Sequence, residues 1–276
     1  MYTEFYKLRE RPFSLLPDPE YLYFTRQHRV ASALLEYGLN SRAGFTVITG
    51  EIGAGKTTLM RSLLEKENSQ LVYGLLNNLQ CSSVEDLLRW VSFAFGLPFE
   101  GKDQVQLYND FVHFLIEEYA NGRRTVVIID EAQQLDAELL EQLRMLSNIN
   151  SGKHLLVQFL LLGQPELRDT LQRPELVQFA QRISVDYHLE GMNTEDTKHY
   201  IAHRLTVAGG DPELFAEEAM ALIAEVSRGI PRVINVLCDT ALFYGHSFKR
   251  ERIECETVQD VLADKQVSLT PLAKLA

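Results

Sequence analysis

Eight consecutive residues, Gly50-Glu51-Ile52-Gly53-Ala54-Gly55-Lys56-Thr57, satisfy the spacing G-x-x-x-x-G-K-[ST]. Glycines at this spacing let backbone N–H groups curl around an anion, a following helix adds the positive end of its dipole, and a lysine reaches the outer phosphates of a nucleotide. Thr57 offers a hydroxyl to Mg²⁺, and Thr58 completes the stretch. Further along, Asp130-Glu131 closes the apolar run Thr125–Ile129. There Asp130 can hold Mg²⁺ through its water shell, and Glu131 can polarise a water for in-line attack on a γ-phosphate. Gln164, after the apolar run Leu155–Leu162, is a polar contact for the attacking water or the γ-phosphate. Arg232 follows Pro231, a residue suited to the first turn of a helix, and is expected to point back at the nucleotide and sense its γ-phosphate. Arg173 and Arg182 flank a short helical stretch, and either could reach the γ-phosphate of a neighbouring subunit, with Arg182 preferred.

These residues need strands that end together. Gly44–Thr49, Gln70–Leu76, Thr125–Ile129, Leu155–Leu162 and Ile183–Leu189 read as five strands, separated by helical segments that include Val84–Phe95 and Gln104–Ala120. Strands alternating with helices imply a parallel sheet, whose ligand sits at the strands' carboxyl ends, where Gly50, Asp130 and Gln164 fall. Asp136 is placed to cap a helix carrying Leu139, Leu140, Leu143 and Leu146. From Asn193 the texture changes to helices alone, at about Thr194–Ala208, Pro212–Ser227, Pro231–Tyr244 and Cys255–Asp264. The expected organisation is an arm and helix over 1–43, an α/β nucleotide-binding domain over 44–191, a small helical lid over 192–264 and a tail over 265–276. In the opening segment, rich in aromatics and X-Pro steps around Pro17-Asp18-Pro19, a helix over His28–Leu39 carries Val30, Ala33, Leu34 and Tyr37 at helical spacing. Tyr23, Phe24 and His28 are candidates to wall an adenine, against plain packing of the arm.

Composition sets outer limits. The chain of 276 residues is 46% hydrophobic and 24% charged, ordinary for a globular protein with a sizeable core. Its net charge of −11 disfavours a general nucleic-acid coat without excluding a local basic patch. Cys81, Cys238 and Cys255 lie far apart and read as reduced thiols. Neither a membrane-length apolar run nor a signal-peptide core stands out, so a cytoplasmic location is expected. His199 and His203 share a helical face but have no third ligand nearby, and read as a solvated face.

Together these elements resemble the AAA+ ATPases, and more narrowly the general secretion pathway protein A family. The resemblance rests on Phe5-Tyr6 with Leu8 and Pro12-Phe13, Thr49–Thr58, Ile129–Gln133, Leu162–Leu167, Gln181-Arg182-Ile183 and Gly229–Asn235, in order. It implies a P-loop sandwich with a helical lid and Mg²⁺-dependent ATP hydrolysis at a subunit interface of a homo-oligomer. It also implies that ATP drives or regulates assembly of a secretion or cell-envelope complex, through an inner-membrane or secretion-system partner. It carries over the roles of Lys56, Thr57, Asp130, Glu131, Gln164 and Arg232, and less directly Arg182. Many members continue into a membrane helix and a peptidoglycan-binding domain, which this sequence lacks, so the chain is either a short relative or part of a longer protein. The family is also similar to ATPases that regulate transposition, which makes an ATP-dependent, DNA-bound regulator the alternative.

Overall fold

The computed structural model describes residues 2–16, 18–65, 69–77, 81 and 83–266. Pro17 of the expected Pro17-Asp18-Pro19 turn lies outside the described residues, as does the tail from residue 267. The chain divides into two compact units. One comprises Val30–Gly50 and Lys56–Leu189; the other comprises the chain up to Arg29, Glu51–Gly55 and the chain from Glu190 onward.

The first unit is an α/β layer built on five parallel strands. In chain order its elements are α1 (Arg26–Asn40, of which residues from Val30 belong here), β1 (Phe45–Gly50), α2 (Lys56–Leu64), β2 (Leu71–Leu76), α3 (Val84–Ala94), α4 (Gln104–Ala120), β3 (Arg124–Ile129), α5 (Ala137–Leu146), β4 (Val157–Gly163), α6 (Pro165–Leu171) and β5 (Ile183–Leu189). The strand order is β2-β3-β4-β1-β5, with every pairing parallel. The continuous apolar runs are explained by position: β1 and β4 are buried at every residue, as expected of strands covered on both faces. Phe45 of β1 stacks on Phe159 of β4 at 5.1 Å between ring centroids and meets Phe179 at 4.4 Å, in the centre of this core. Helix starts follow local chemistry. Asp103 forms a capping box with Gln106 at α4, and the Asp136 carboxylate accepts the Leu139 N–H at 2.9 Å at α5.

Two expectations for this unit need correction. The expected stripe Val30, Ala33, Leu34, Tyr37 on α1 is not the buried one: Val30 is 40% and Tyr37 62% exposed, Ala33 is exposed and Leu34 half-buried, whereas Ala31, Leu35 and Leu39 are buried. Buried Gln158 of β4 pins the end of α1 to the sheet, its amide donating to the carbonyls of Ala43 and Gly38 at 3.1 and 3.2 Å, with that of Leu39 at 3.4 Å. The single strand expected over Leu155–Leu162 is split. Asn150–Ser151 and His154–Leu155 form a small antiparallel hairpin, and β4 proper begins at Val157.

The second unit is helical: α7 (Thr194–Val207), α8 (Glu217–Ser227), α9 (Pro231–Ser247) and α10 (Cys255–Gln266). The helix expected from Pro212 starts only at Glu217, since Leu214–Ala216 run extended and exchange backbone bonds with Ile253, Ala216 N–H to Ile253 O and Ile253 N–H to Leu214 O, each at 2.9 Å. The aromatic opening segment belongs to this unit's core. Tyr2, Tyr6 and Phe13 are buried there among Phe215, Val233 and Leu237. Tyr2 donates its hydroxyl proton to Asp239 at 2.5 Å, and burial with that contact holds the phenol well above its usual value. Arg204, 6% exposed, donates to the Pro12 carbonyl at 2.5 Å and to the Tyr200 hydroxyl at 2.8 Å, with its guanidinium over the Tyr21 ring. This buried cation ties the arm to α7.

Candidate active site

The sequence places the loop between β1 and α2, and the structure keeps that order: β1 ends at Gly50 and α2 begins at Lys56. Gly53 and Gly55 take φ values of +81° and +104°, a region that a side chain disfavours, which is why the spacing requires glycine there. Lys56 is buried and donates its ammonium to the Gly50 carbonyl at 2.6 Å. Thr57, the next residue, is exposed and donates its hydroxyl to Asp130 Oδ2 at 2.9 Å. Thr58 is also exposed.

Asp130 is the first residue past β3, and its other oxygen, Oδ1, accepts the Glu131 N–H at 2.9 Å. Both contacts are acceptor roles, which a carboxylate fills without a proton of its own. Glu131 has left-handed backbone angles, φ 58° and ψ 37°, uncommon for a residue with a side chain. Strain of this kind persists where surrounding contacts over-determine the backbone, and it collects at functional sites. Here it turns the chain sharply from β3 into the short turn Ala132–Gln134, with the Glu131 N–H held on Asp130.

The structure adds two residues whose roles the sequence did not assign. Gln134 donates its amide to Glu131 Oε2 at 2.8 Å, and Gln133 Oε1 accepts the backbone N–H of Gln164 at 3.0 Å. Gln164 precedes α6, with Pro165 in that helix's first turn, and its side chain does not cap the helix. Register explains the meeting: Thr49 pairs with Gly163 and Ile129 with Leu161, so the ends of β1, β3 and β4 lie at one edge of the sheet. The only advance signal was that two glutamines stand one residue beyond the acidic pair, after Ala132.

Thr57 and Asp130 supply hard oxygen donors side by side, which fits Mg²⁺, an ion that takes one or two protein oxygens and fills its shell with water and phosphate. Among the described residues no group of three or more His, Cys, Asp or Glu could hold a metal by itself, so the protein offers no closed cage.

In the helical unit, the stem of Arg232 covers Gly53: a Cβ on that glycine would sit 2.4 Å from the Arg232 Cβ. Arg232 follows Pro231 in the first turn of α9 and is exposed. Gly229 makes this start possible, with φ +72° and Met192 so close that a Cβ would fall 1.9 Å from its carbonyl oxygen. His28 is 7% exposed and its ring faces Ala54 Nε2 to carbonyl at 3.2 Å. Phe24 meets His28 edge-on at 6.2 Å, whereas Tyr23 turns to Tyr200 and His203. Arg182 lies just before β5 and is half-buried; Arg173 is exposed and ion-paired with Glu175. His203 is half-buried rather than on a solvated face, and burial lowers its basicity.

The comparisons with known proteins agree with this geometry. A family described as an AAA domain matches residues 39–171. Among solved structures, the Aeropyrum pernix ORC2 protein superposes with a TM-score of 0.67 at 20% identity, covering 92% of this chain and 71% of that one. Cdc6p from Pyrobaculum aerophilum gives a TM-score of 0.71 at 14% identity, covering 93% and 72%. The Thermotoga maritima RuvB Holliday junction branch migration motor gives 0.55 at 18% identity, covering 94% and 74%. At such identities these likenesses concern the fold. A parallel five-stranded sheet, a phosphate-binding loop and a following helical region define an AAA ATPase. Over 243 residues the chain is 41% identical to general secretion pathway protein A of Aeromonas hydrophila, an alignment covering 88% of this chain and 44% of that protein. The chain is thus an AAA ATPase that is similar, over 88% of its length, to general secretion pathway protein A. It spans less than half the length of that relative.

Proposed function

We propose that this ATPase binds Mg²⁺-ATP in the loop Gly50–Thr58 and that hydrolysis drives or regulates assembly of a secretion or cell-envelope complex. The observation that carries the nucleotide half is the Thr57–Asp130 hydrogen bond of 2.9 Å, next to Glu131. Lys56 holds the outer phosphates, and Thr57 and Asp130 hold Mg²⁺, which supplies charge neutralisation at the phosphates when bound. Glu131 orients and deprotonates the attacking water, Gln164 contacts that water or the γ-phosphate, and Arg232 senses the γ-phosphate. Arg182, or in its place Arg173, acts on the nucleotide of a neighbouring copy in a homo-oligomer.

The assembly half is supported by the name of the Aeromonas relative, over 88% of this chain. This portion lies on the cytoplasmic side against an inner-membrane or secretion-system protein partner; no helix among the described residues is long and apolar enough to cross a membrane. The test is a Glu131→Gln trap loaded with Mg²⁺-ATP. Stable higher oligomers and nucleotide-dependent retention on inner-membrane fractions are expected. Salt-sensitive, ATP-dependent retention on duplex DNA without membrane association would instead favour a DNA-bound regulator.

A further inference from the structure

We propose that His28 is a positioning residue for the phosphate loop, clamping the Ala54 carbonyl so that the next backbone N–H faces the nucleotide. This rests on the reading that the loop holds the phosphates of ATP.

The geometry fixes every proton in the chain of contacts. Thr25 precedes the first turn of α1, and its hydroxyl oxygen accepts the backbone N–H of His28 at 3.4 Å. The same hydroxyl lies 2.7 Å from His28 Nδ1, and His28 Nε2 lies 3.2 Å from the Ala54 carbonyl oxygen. A carbonyl only accepts, so Nε2 carries the hydrogen and donates it. Neutral imidazole has one ring N–H, which leaves Nδ1 to accept the Thr25 hydroxyl proton. Burial favours that neutral form, lowering the ring's basicity. Thr25 is 2%, His28 7% and Ala54 1% exposed, so bulk water does not replace the bonds if they are lost.

The consequence for the loop follows from peptide geometry. No peptide bond among those described is cis. In a trans peptide the carbonyl of Ala54 and the N–H of Gly55 point to opposite sides. Holding the carbonyl against His28 therefore directs the Gly55 N–H away from the ring. Gly55, at φ +104°, lets the ring lie this close, for a Cβ there would stand 2.9 Å from Nε2. With both ring nitrogens engaged inside the protein, His28 acts on the loop and does not hydrogen-bond a nucleobase.

The test measures ADP affinity and ATP turnover of the full chain with His28→Leu, His28→Gln, Thr25→Val and Lys56→Ala. His28→Leu is expected to weaken ADP about tenfold and to raise KM for ATP by the same factor, the scale of one lost hydrogen bond, while kcat falls less than about threefold. His28→Gln keeps an amide donor of similar reach and should recover most of the affinity. Thr25→Val, which keeps the shape and removes the hydroxyl, should fall between, and it carries the test if His28→Leu does not fold. Wild-type affinity in His28→Leu, or in Thr25→Val when that variant stands in, overturns the inference. Equal losses in His28→Leu and His28→Gln, matched by equal falls in the melting temperature without nucleotide, overturn it too. Lys56→Ala separates the two levels: undiminished ADP binding there removes the nucleotide reading of the loop itself, whatever His28 does.

Discussion

Thr57 Oγ1 donates a hydrogen bond to Asp130 Oδ2 at 2.9 Å, joining the residue after the loop lysine to the residue that follows β3. Neither neighbourhood alone makes a cation site; together they supply a hydroxyl and a carboxylate oxygen within one coordination shell. Asp130→Asn should lower kcat/KM by about a hundredfold, the scale of removing one pre-organised electrostatic partner. Titrating turnover against Mg²⁺ is the check, and the half-saturating concentration should rise. An unchanged Mg²⁺ dependence would take Asp130 out of the cation site.

Glu131→Gln keeps size and hydrogen bonding but removes the base. Turnover should fall between about a hundred- and ten-thousandfold, as for loss of a general base. ATP binding, followed by a fluorescent analogue, should stay within about threefold, because a neutral side chain there removes no phosphate contact. Turnover near wild type would assign water activation elsewhere.

The bond from the Gln164 N–H to Gln133 Oε1 ties the turn after β3 to the end of β4. Gln133→Ala leaves that N–H without its acceptor and should cost about 1 kcal/mol in urea unfolding, with reduced kcat. Gln133→Glu retains an acceptor oxygen and should restore both. If alanine and glutamate behave alike, the bond does not position Gln164.

Acid should weaken the fold through two histidines. Burial lowers the pKa of both His28 and His203; the Ala54 carbonyl and then Asp196 oppose the shift at His28, while Arg204 reinforces it and the Leu22 backbone opposes it at His203. The unfolded chain takes up these protons near the ordinary histidine value of about 6.5, and the folded chain only at lower pH. Below about pH 6.5 the unfolded state therefore binds more protons, and stability falls as pH drops until the folded-state pKa values are passed. Denaturant midpoints measured against pH should show this fall, and a His28→Gln, His203→Gln double variant should flatten it.

Arg204 is buried with its donors on Pro12 O and the Tyr200 hydroxyl. Arg204→Leu should destabilise the chain by about 2–4 kcal/mol, since two buried acceptors lose their partner. Arg204→Lys should recover only part, lacking the planar fork that reaches both. Calorimetric melting checks this, and a leucine variant as stable as wild type would show the guanidinium to be dispensable.

Short-range chemistry was legible in the residues. The eight-residue loop, the acidic pair after an apolar run, the Asp136 cap and Pro231 before Arg232 each depend on neighbours a few positions apart. The inner strands β1, β3 and β4 could be read for the same reason: a doubly covered strand is apolar at nearly every position, whatever it packs against. Only the tertiary structure decided what depends on distant partners. Helical spacing singled out Val30, Ala33, Leu34 and Tyr37 on α1, whereas the apolar side chains buried there are Ala31, Leu35 and Leu39, a choice made by the sheet they pack on. Likewise, no spacing could show that His28 reaches Ala54, that Gln133 holds the backbone of Gln164, or that Thr57 meets Asp130. Local sequence specifies which groups are available; folding specifies which of them lie within the roughly 3 Å at which a hydrogen bond forms.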